Sequence, residues 1–359
     1  MADRETLLKI LDLARWAPSG DNTQPWAFEI VDGDHIAVHG HDTREWCLYD
    51  FDGHASHIAH GALLETLRIA ATRFGLQATW TLRQGTSDSA PVFDIKLEAV
   101  TGLEPDPLVS HIEPRCVQRR PMKLTPLTDA QREALVDAVG PAYSVRFFET
   151  FAERQKIGRL LWDSAYIRLT CPEAYKVHKE IIEWGVRFSE DRIPEQAVGV
   201  DPLTGRLMRW VLGSWERVAF FNRFLFGTVA PRIQLDYLPA LRCAAHVLIR
   251  PVGRLETVSD YVEAGAAMQR LWVTVSALGL FLQPEMTPLI FRWYVRHDRV
   301  FSSHPGLDDA ARAMARDFET LAGATTTEDF GFFCRVGSSS MPASRSIRKP
   351  IGDLMVAPR

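Results

Sequence analysis

Two stretches of this chain repeat one another at a fixed distance. Gly61-Ala62-Leu63-Leu64-Glu65-Thr66-Leu67 leads through a helical run to Gly75-Leu76, and Gly265-Ala266-Ala267-Met268-Gln269-Arg270-Leu271 leads likewise to Gly279-Leu280, every matched position lying 204 residues from its mate. In both, apolar residues recur at intervals of three and four, and a glycine suited to a left-handed cap closes the helix before an extended stretch. Two ordinary helices could share a Gly-Leu stop. The common spacing of two glycines, an alanine and two leucines instead predicts a duplicated chain. A length of 359 residues, 46% of them hydrophobic and 24% charged, suits two such halves or two domains.

The rest reads as mixed α and β. Strands are expected at 26–31, 36–39, 79–83, 92–98, 144–149, 246–250 and 331–336, and Asp32-Gly33 supplies a hairpin turn between the first two. Further helices are expected at 152–163, 172–190, 206–226, 289–299 and 307–321, and Thr128-Asp129-Ala130-Gln131 is a capping-box start for another. Residues 105–111, with two prolines and no apolar period, read as a linker. The expected division is therefore a first half at 1–104 and a second at 105–359. The second half carries a helical insertion or lid at about 185–240 and a basic tail from 337 that composition alone reads as poorly structured.

Composition narrows the function classes. A net charge of −4 with both signs dispersed gives no basic field for nucleic acid. The start, Met-Ala-Asp-Arg-Glu-Thr, puts acids where a secretory signal needs basic and then apolar residues. Cys47, Cys116, Cys171, Cys243 and Cys334 are scattered without CxxC spacing, which predicts reduced thiols in a cytoplasm. The most apolar stretch, 218–231, is cut by Asn222 and Arg223 and falls short of the ~20 apolar residues of a membrane helix. It reads as a buried or lid helix, with an interfacial membrane helix as the lesser alternative, so no membrane partner is expected.

Residues 14–26 carry the strongest local signal. A helix breaks at Pro18 into a short polar turn of Ser19, Gly20, Asp21, Asn22 and Thr23, then leaves on Gln24-Pro25-Trp26 into a strand. Short side chains between two prolines let a ligand approach the backbone closely. Two basic clusters lie elsewhere, Arg119-Arg120-Pro121-Met122-Lys123 and Arg345-Ser346-Ile347-Arg348-Lys349, and read either as a solvated basic surface with a loose tail or as a site for an anion that takes arginine forks.

Arg15-Trp16-Ala17-Pro18-Ser19, followed by Asn22, Gln24, Pro25 and Trp26, resembles the flavin-facing motif of the bacterial nitroreductase superfamily. Arg119-Arg120-Pro121-Met122-Lys123 is similar to that family's Arg-Arg-Ser-x-Arg phosphate motif, with proline at the serine and lysine at the last arginine. Gly279 with Pro284, Glu285 and Met286 resembles the loop whose backbone N–H faces flavin N5, and Arg345 and Arg348 resemble the family's C-terminal phosphate contact. The resemblance implies a nitroreductase-like α+β fold, with a central mixed or antiparallel sheet flanked by helices and two degenerate halves forming a pseudo-dimer, like that of the longer, internally duplicated members. It implies one composite FMN site per chain, built from Pro18, Ser19, Gly20, Asn22 and Gln24 of the first half and Arg119, Arg120, Lys123, Pro284, Glu285, Met286, Arg345 and Arg348 of the second. With one site kept, the chain is expected to be a monomeric pseudo-dimer.

The implied activity is that of an FMN-dependent oxidoreductase, with ping-pong hydride transfer from NAD(P)H through FMN N5 to an electron-poor or specialised small molecule. No catalytic side chain is implied, because the chemistry lies on the flavin. The alternative is a non-catalytic flavin-binding or sequestering protein with a covered FMN site. Two further features leave choices open. Trp184, Trp210, Trp215, Phe220, Phe221, Phe224 and Phe226 either line a substrate pocket or lid or pack a core helix. His54, His57 and His60 read as polar residues at an interface between the halves rather than as a metal site, since helical ligand pairs favour a spacing of four.

Overall fold

Asp3 accepts a hydrogen bond from the Thr6 amide at 2.7 Å and so starts α1 (Arg4–Ala14), whose Leu7, Ile10, Leu11 and Ala14 turn inward. The computed structural model describes residues 2–356; Met1 and 357–359, the outer ends of the two expected halves, lie outside the described residues. After α1 come β1 (Trp26–Ile30), β2 (His35–Gly40), α2 (His54–Thr72), β3 (Leu76–Leu82) and β4 (Val92–Ala99). These strands form an antiparallel sheet in the order β1-β2-β4-β3. Trp26 and Phe28 on β1 point into its core while Ala27 and Glu29 alternate away.

The second part begins with α3 (Asp129–Val139), β5 (Tyr143–Phe148), α4 (Phe151–Thr170) and α5 (Pro172–Ile181). Short pieces follow: β6 (Ile182–Glu183), β7 (Phe188–Ser189), β8 (Ile193–Pro194), α6 (Pro202–Val211), α7 (Trp215–Phe224), α8 (Val229–Pro231), a π-helical turn (Arg232–Tyr237) and α9 (Leu238–Leu241). Then come β9 (Ala245–Pro251), α10 (Val258–Ala277), β10 (Phe281–Pro284), α11 (Thr287–Arg296), α12 (Leu307–Ala322), β11 (Phe332–Gly337) and β12 (Arg345–Ser346). A second antiparallel sheet takes the order β10-β11-β9-β5. The chain is thus α+β, with two four-stranded sheets and the long helices α2 and α10 between their cores.

Those two helices are the repeat stretches. A shift of 204 residues carries His54, the start of α2, onto Val258, the start of α10. They cross where neither has a side chain. A Cβ on Gly61 would stand 1.8 Å from the Val262 carbonyl oxygen, and one on Gly265 would stand 2.0 Å from that of Ile58. The contact is reciprocal, since Ile58 and Val262 are themselves repeat mates. One turn on, Glu65 pairs with Arg270 at 2.9 Å and Thr66 accepts from Gln269 at 2.9 Å, which is again a reciprocal pair. Each helix also feeds the other part's core: Ile58 and Ala62 of α2 pack in the cluster around the second sheet, Val262 and Val273 of α10 in that around the first.

Three expectations change. The helix expected at 172–190 ends at Ile181, where the chain turns extended and Gly185 takes φ +84°. The helix expected at 206–226 is two, because Gly213-Ser214 interrupts it and the Ser214 hydroxyl caps the Arg217 amide. The tail is ordered through Val356. Its β12 pairs in parallel with β7, Arg348 is buried, and the Lys349 amide donates to the Gln24 side chain at 3.0 Å. Hydrogen bonds to distant loops hold a segment that composition read as loose.

Candidate functional site

The turn after α1 closes on its own short side chains. Ser19 Oγ accepts from the Gln24 amide at 2.9 Å, and Thr23 Oγ1 donates to the Gly20 carbonyl at 3.0 Å. Asp21, Asn22 and Gln24 all take positive φ, at 51°, 66° and 51°. Each such residue costs on the order of 1 kcal/mol, so the surroundings must hold the shape. They do so through Asn22 and Gln24. Asn22 Nδ2 donates to the carbonyls of Glu190 at 3.0 Å and Ile347 at 3.1 Å, and Gln24 Nε2 donates to Glu190 at 2.8 Å. Asn22 Oδ1 is buried without a partner among the described residues.

Pro18, Ser19, Gly20, Asp21 and Asn22 form one wall of a cavity of about 640 Å³. Arg119, Pro284, Glu285 and Met286 line the same cavity, as do Arg345 and Arg348 of the tail. Gln24 is outside the lining and braces the turn from behind. Arg120 and Lys123 are exposed and also outside the lining, so the structure does not bring them to the others. In their place stands Arg115, which the sequence reading did not single out.

The basic end of the cavity is built on backbone oxygens. Arg115 donates to the Trp16 carbonyl at 2.7 Å, Arg348 to that of Ala17 at 3.0 Å, and Arg345 to that of Glu113 at 2.7 Å. Arg345 also lies over the Trp16 ring at 4.9 Å, and Arg115 over that of Trp272 at 4.5 Å. No carboxylate pairs with Arg115, Arg345 or Arg348 among the described residues. Burial, with Arg345 beside it, pushes the Arg115 guanidinium down to about 10. Burial and the neighbouring arginines likewise hold that of Arg348 well below its usual value. Uncompensated buried positive charge is costly, and an anion relieves it.

Farther along, Arg119 faces Asp21. Burial pushes the Asp21 carboxyl up to about 6, with Arg119 pulling against the rise. Glu285 is committed elsewhere: its N–H donates to the Phe333 carbonyl at 2.8 Å and its carboxylate meets His246 Nδ1 at 2.6 Å. Neither group is free to face a ring nitrogen. Burial works against charge on His246, and Cys243 and Glu285 beside it outweigh that and raise its pKa.

A polar cluster lies on the side toward the insertion. Tyr49, from the loop between β2 and α2, places its hydroxyl 2.7 Å from His178 Nε2 on α5. Arg168 on α4 pairs with Asp236 at 2.7 Å. Burial and Arg168 push His178 down to about 3, so it is neutral, and burial lifts Asp236 to about 6 against the pull of Arg168. All four line the cavity, and α6 and α7 cover it with Leu207, Val211, Phe221 and Leu225. Of the aromatics considered above, only Phe221 and Phe226 reach the lining.

The histidines of α2 are absorbed by packing. His54 stacks on Tyr261 of α10 at 3.8 Å, and His60 Nε2 bonds the Pro25 carbonyl at 2.8 Å. The arrangement as a whole can hold an anion at its arginine end, a flat apolar body under the roof, and proton-carrying groups along one side.

No family model matches the chain, and no curated protein matches it in sequence. Among solved structures, it is similar to a nitroreductase-like family protein from Bacillus cereus, at 11% identity over 70% of this chain and 96% of that one, with a TM-score of 0.36. It is similar as well to an iodotyrosine deiodinase bound to FMN and 3-iodo-L-tyrosine, at 14% identity over 70% and 97%, with a TM-score of 0.36. A third is the FMN-dependent nitroreductase NfnB from Mycobacterium smegmatis in complex with NADPH, at 13% identity over 69% and 96%, with a TM-score of 0.36. The geometry of the cavity, rather than these overlaps, carries the functional reading.

Proposed function

We propose that the chain is an FMN-dependent oxidoreductase with one FMN site, formed by this cavity. The observation that carries the reading is the convergence of the 18–22 turn, residues 284–286 and four arginines on one space, from positions up to some three hundred residues apart. The residues present fit the cofactor. Its volume falls within the ~300–1,000 Å³ of small-molecule sites. Arg115, Arg345 and Arg348 would hold the phosphate, and the unpartnered Asn22 Oδ1 offers an acceptor for a ring N–H. Spacing alone fits the arginine motif in two registers, since Arg115 to Arg119 spans as many residues as Arg119 to Lys123. The register beginning at Arg115 is the one whose cations line the cavity.

Bound FMN would supply the hydride chemistry, between NAD(P)H and an electron-poor small molecule. The chain's own part is binding, orientation and exclusion of water. Its apolar roof keeps water from the reacting face, and Tyr49 and the Arg168–Asp236 pair bring proton-bearing groups to the wall. The reciprocal contacts of α2 and α10 support a duplicated origin, with halves at 1–104 and 105–359 acting as a pseudo-dimer within one chain. A cytoplasmic setting accords with five free, buried cysteines. The roof also favours a second reading, a protein that holds FMN without turnover.

Anaerobic mixing of the FMN-loaded protein with NADH or NADPH separates the two. Bleaching of the flavin absorbance, with recovery on adding a nitroarene or quinone, supports the enzyme. A spectrum unmoved by either nicotinamide supports the holding protein, and failure to take up FMN at all overturns both.

A further inference from the structure

We infer that α6 and α7 form a docking surface for an anionic membrane, seating the roof of the cavity in the headgroup layer. On α6, Leu203, Leu207 and Trp210 recur four and three residues apart and are 74%, 47% and 53% exposed. On α7, Phe220 and Phe224 lie four apart, and they and Phe226 just beyond are 52%, 59% and 80% exposed. The stripes join: Trp210 meets Phe221, Phe221 meets Phe220 and Phe220 meets Phe224, with ring centroids 5.8, 6.2 and 5.3 Å apart. A contiguous apolar patch of this kind on one chain marks a contact site.

Charge decides the occupant. Residues 201–230 hold Arg206, Arg209, Arg217 and Arg223 against Asp201 and Glu216, a local balance of +2 in a chain whose total is −4. All six are exposed. Arg217 lies over the Trp210 ring at 4.7 Å and Arg223 over that of Phe224 at 5.2 Å, so cations sit beside the rings. Arginines interleaved with aromatics suit a layer of anionic headgroups above acyl chains. A second copy of the chain fits less well, because a two-fold contact would set this basic patch against itself.

None of the helices among the described residues is long and apolar enough to cross a membrane, and none needs to. An interfacial helix lies in the plane of the surface. Such docking would replace the expectation that the protein has no membrane partner. Leu207, Leu225 and Phe226 belong both to the exposed patch and to the cavity lining, so docking brings the cavity mouth to the bilayer.

Flotation of the purified full-length protein with phosphatidylcholine vesicles, with and without phosphatidylglycerol, tests the inference without reference to FMN. Flotation is expected with the anionic vesicles only and should fall as salt is raised. The double variant Arg206→Glu/Arg209→Glu and the double variant Phe224→Ser/Phe226→Ser should each weaken it by about tenfold or more. Thermal melts matching the parent show that these exposed substitutions leave the fold intact. No flotation with anionic vesicles, or flotation unchanged in both variants, overturns the inference. So does a concentration-dependent dimer that Phe224→Ser/Phe226→Ser abolishes while flotation is absent, which would assign the patch to a second copy.

Discussion

Replacing Gly61 with alanine strikes the crossing of α2 and α10, the two long helices that both contribute to the cavity lining. The new Cβ would stand 1.8 Å from the Val262 carbonyl oxygen and 2.7 Å from its carbon. Both belong to the α10 backbone, which cannot rotate out of the way. A relaxed carbon–oxygen contact needs about 3.3 Å, so α2 and α10 must separate by about 1.5 Å. Overpacking against backbone that cannot move aside costs about 3 kcal/mol, the upper end of its usual range, and alanine returns about 1 kcal/mol of helix propensity. A net loss of about 2 kcal/mol is expected, or about 3 °C in melting temperature for a chain of this length. Ile58 and Ala59 of α2 and Met268 of α10 line the cavity, so the separation should also loosen FMN.

Gly265→Ala should do the same, since its Cβ meets the Ile58 carbonyl at 2.0 Å. The double variant should cost less than the sum of the singles by about 1 kcal/mol, because the first substitution already opens the space that the second needs. Calorimetry of the three variants without cofactor, with FMN content measured separately, gives each quantity. Single variants that melt with the parent and keep its FMN would refute this account of the crossing, as would strict additivity.

Arg119→Ala should raise the Kd for FMN by about tenfold or more, the loss of one charge-assisted contact, while Arg120→Ala leaves it unchanged; fluorescence titration of the apoprotein separates them. Asp21→Asn keeps the left-handed backbone, which asparagine tolerates, and removes a carboxylate whose pKa burial lifts to about 6. The charged form is the disfavoured one, so the substitution should stabilise by up to about 3 kcal/mol above pH 6, and the gain should vanish below about pH 4. Denaturation at several pH values checks it. Burial pushes His54 down to about 3, with His57 and His297 adding to it. Its neutral form contributes stability that is full above about pH 6.5 and is lost as pH falls toward the folded value. His54→Phe keeps the stack on Tyr261 and should remove about 1–2 kcal/mol of the loss between pH 6.5 and 5, read from melting temperature against pH.

What the sequence made legible follows from how local each signal is. The helices α2 and α10 could be read because the apolar period and the closing glycine of each are local, whereas their crossing at Gly61 and Gly265 could not, since it joins residues 204 apart in the chain. The 18–26 turn could be read because prolines and short polar residues are adjacent in the chain. Arg115 could not, since Arg-Arg at 119 and 120 satisfied the motif spacing equally well and only three dimensions separate a lining arginine from an exposed one. The tail was misread for the same reason: the groups that order it, Asn22, Gln24 and β7, lie some 150 to 330 residues away. Tyr49 with His178, and Arg168 with Asp236, come from separate elements and leave no pattern in the chain. The break at Gly213-Ser214 was visible as a serine cap and was masked by the apolar run on either side.

The central claim is one composite FMN site per chain, made by walls from both halves. The ratio of bound FMN to protein, taken from the flavin absorbance of purified, FMN-saturated protein and from quantitative amino-acid analysis, tests it most directly. The account predicts one FMN per chain, and a ratio of two, or none after saturation, would contradict it.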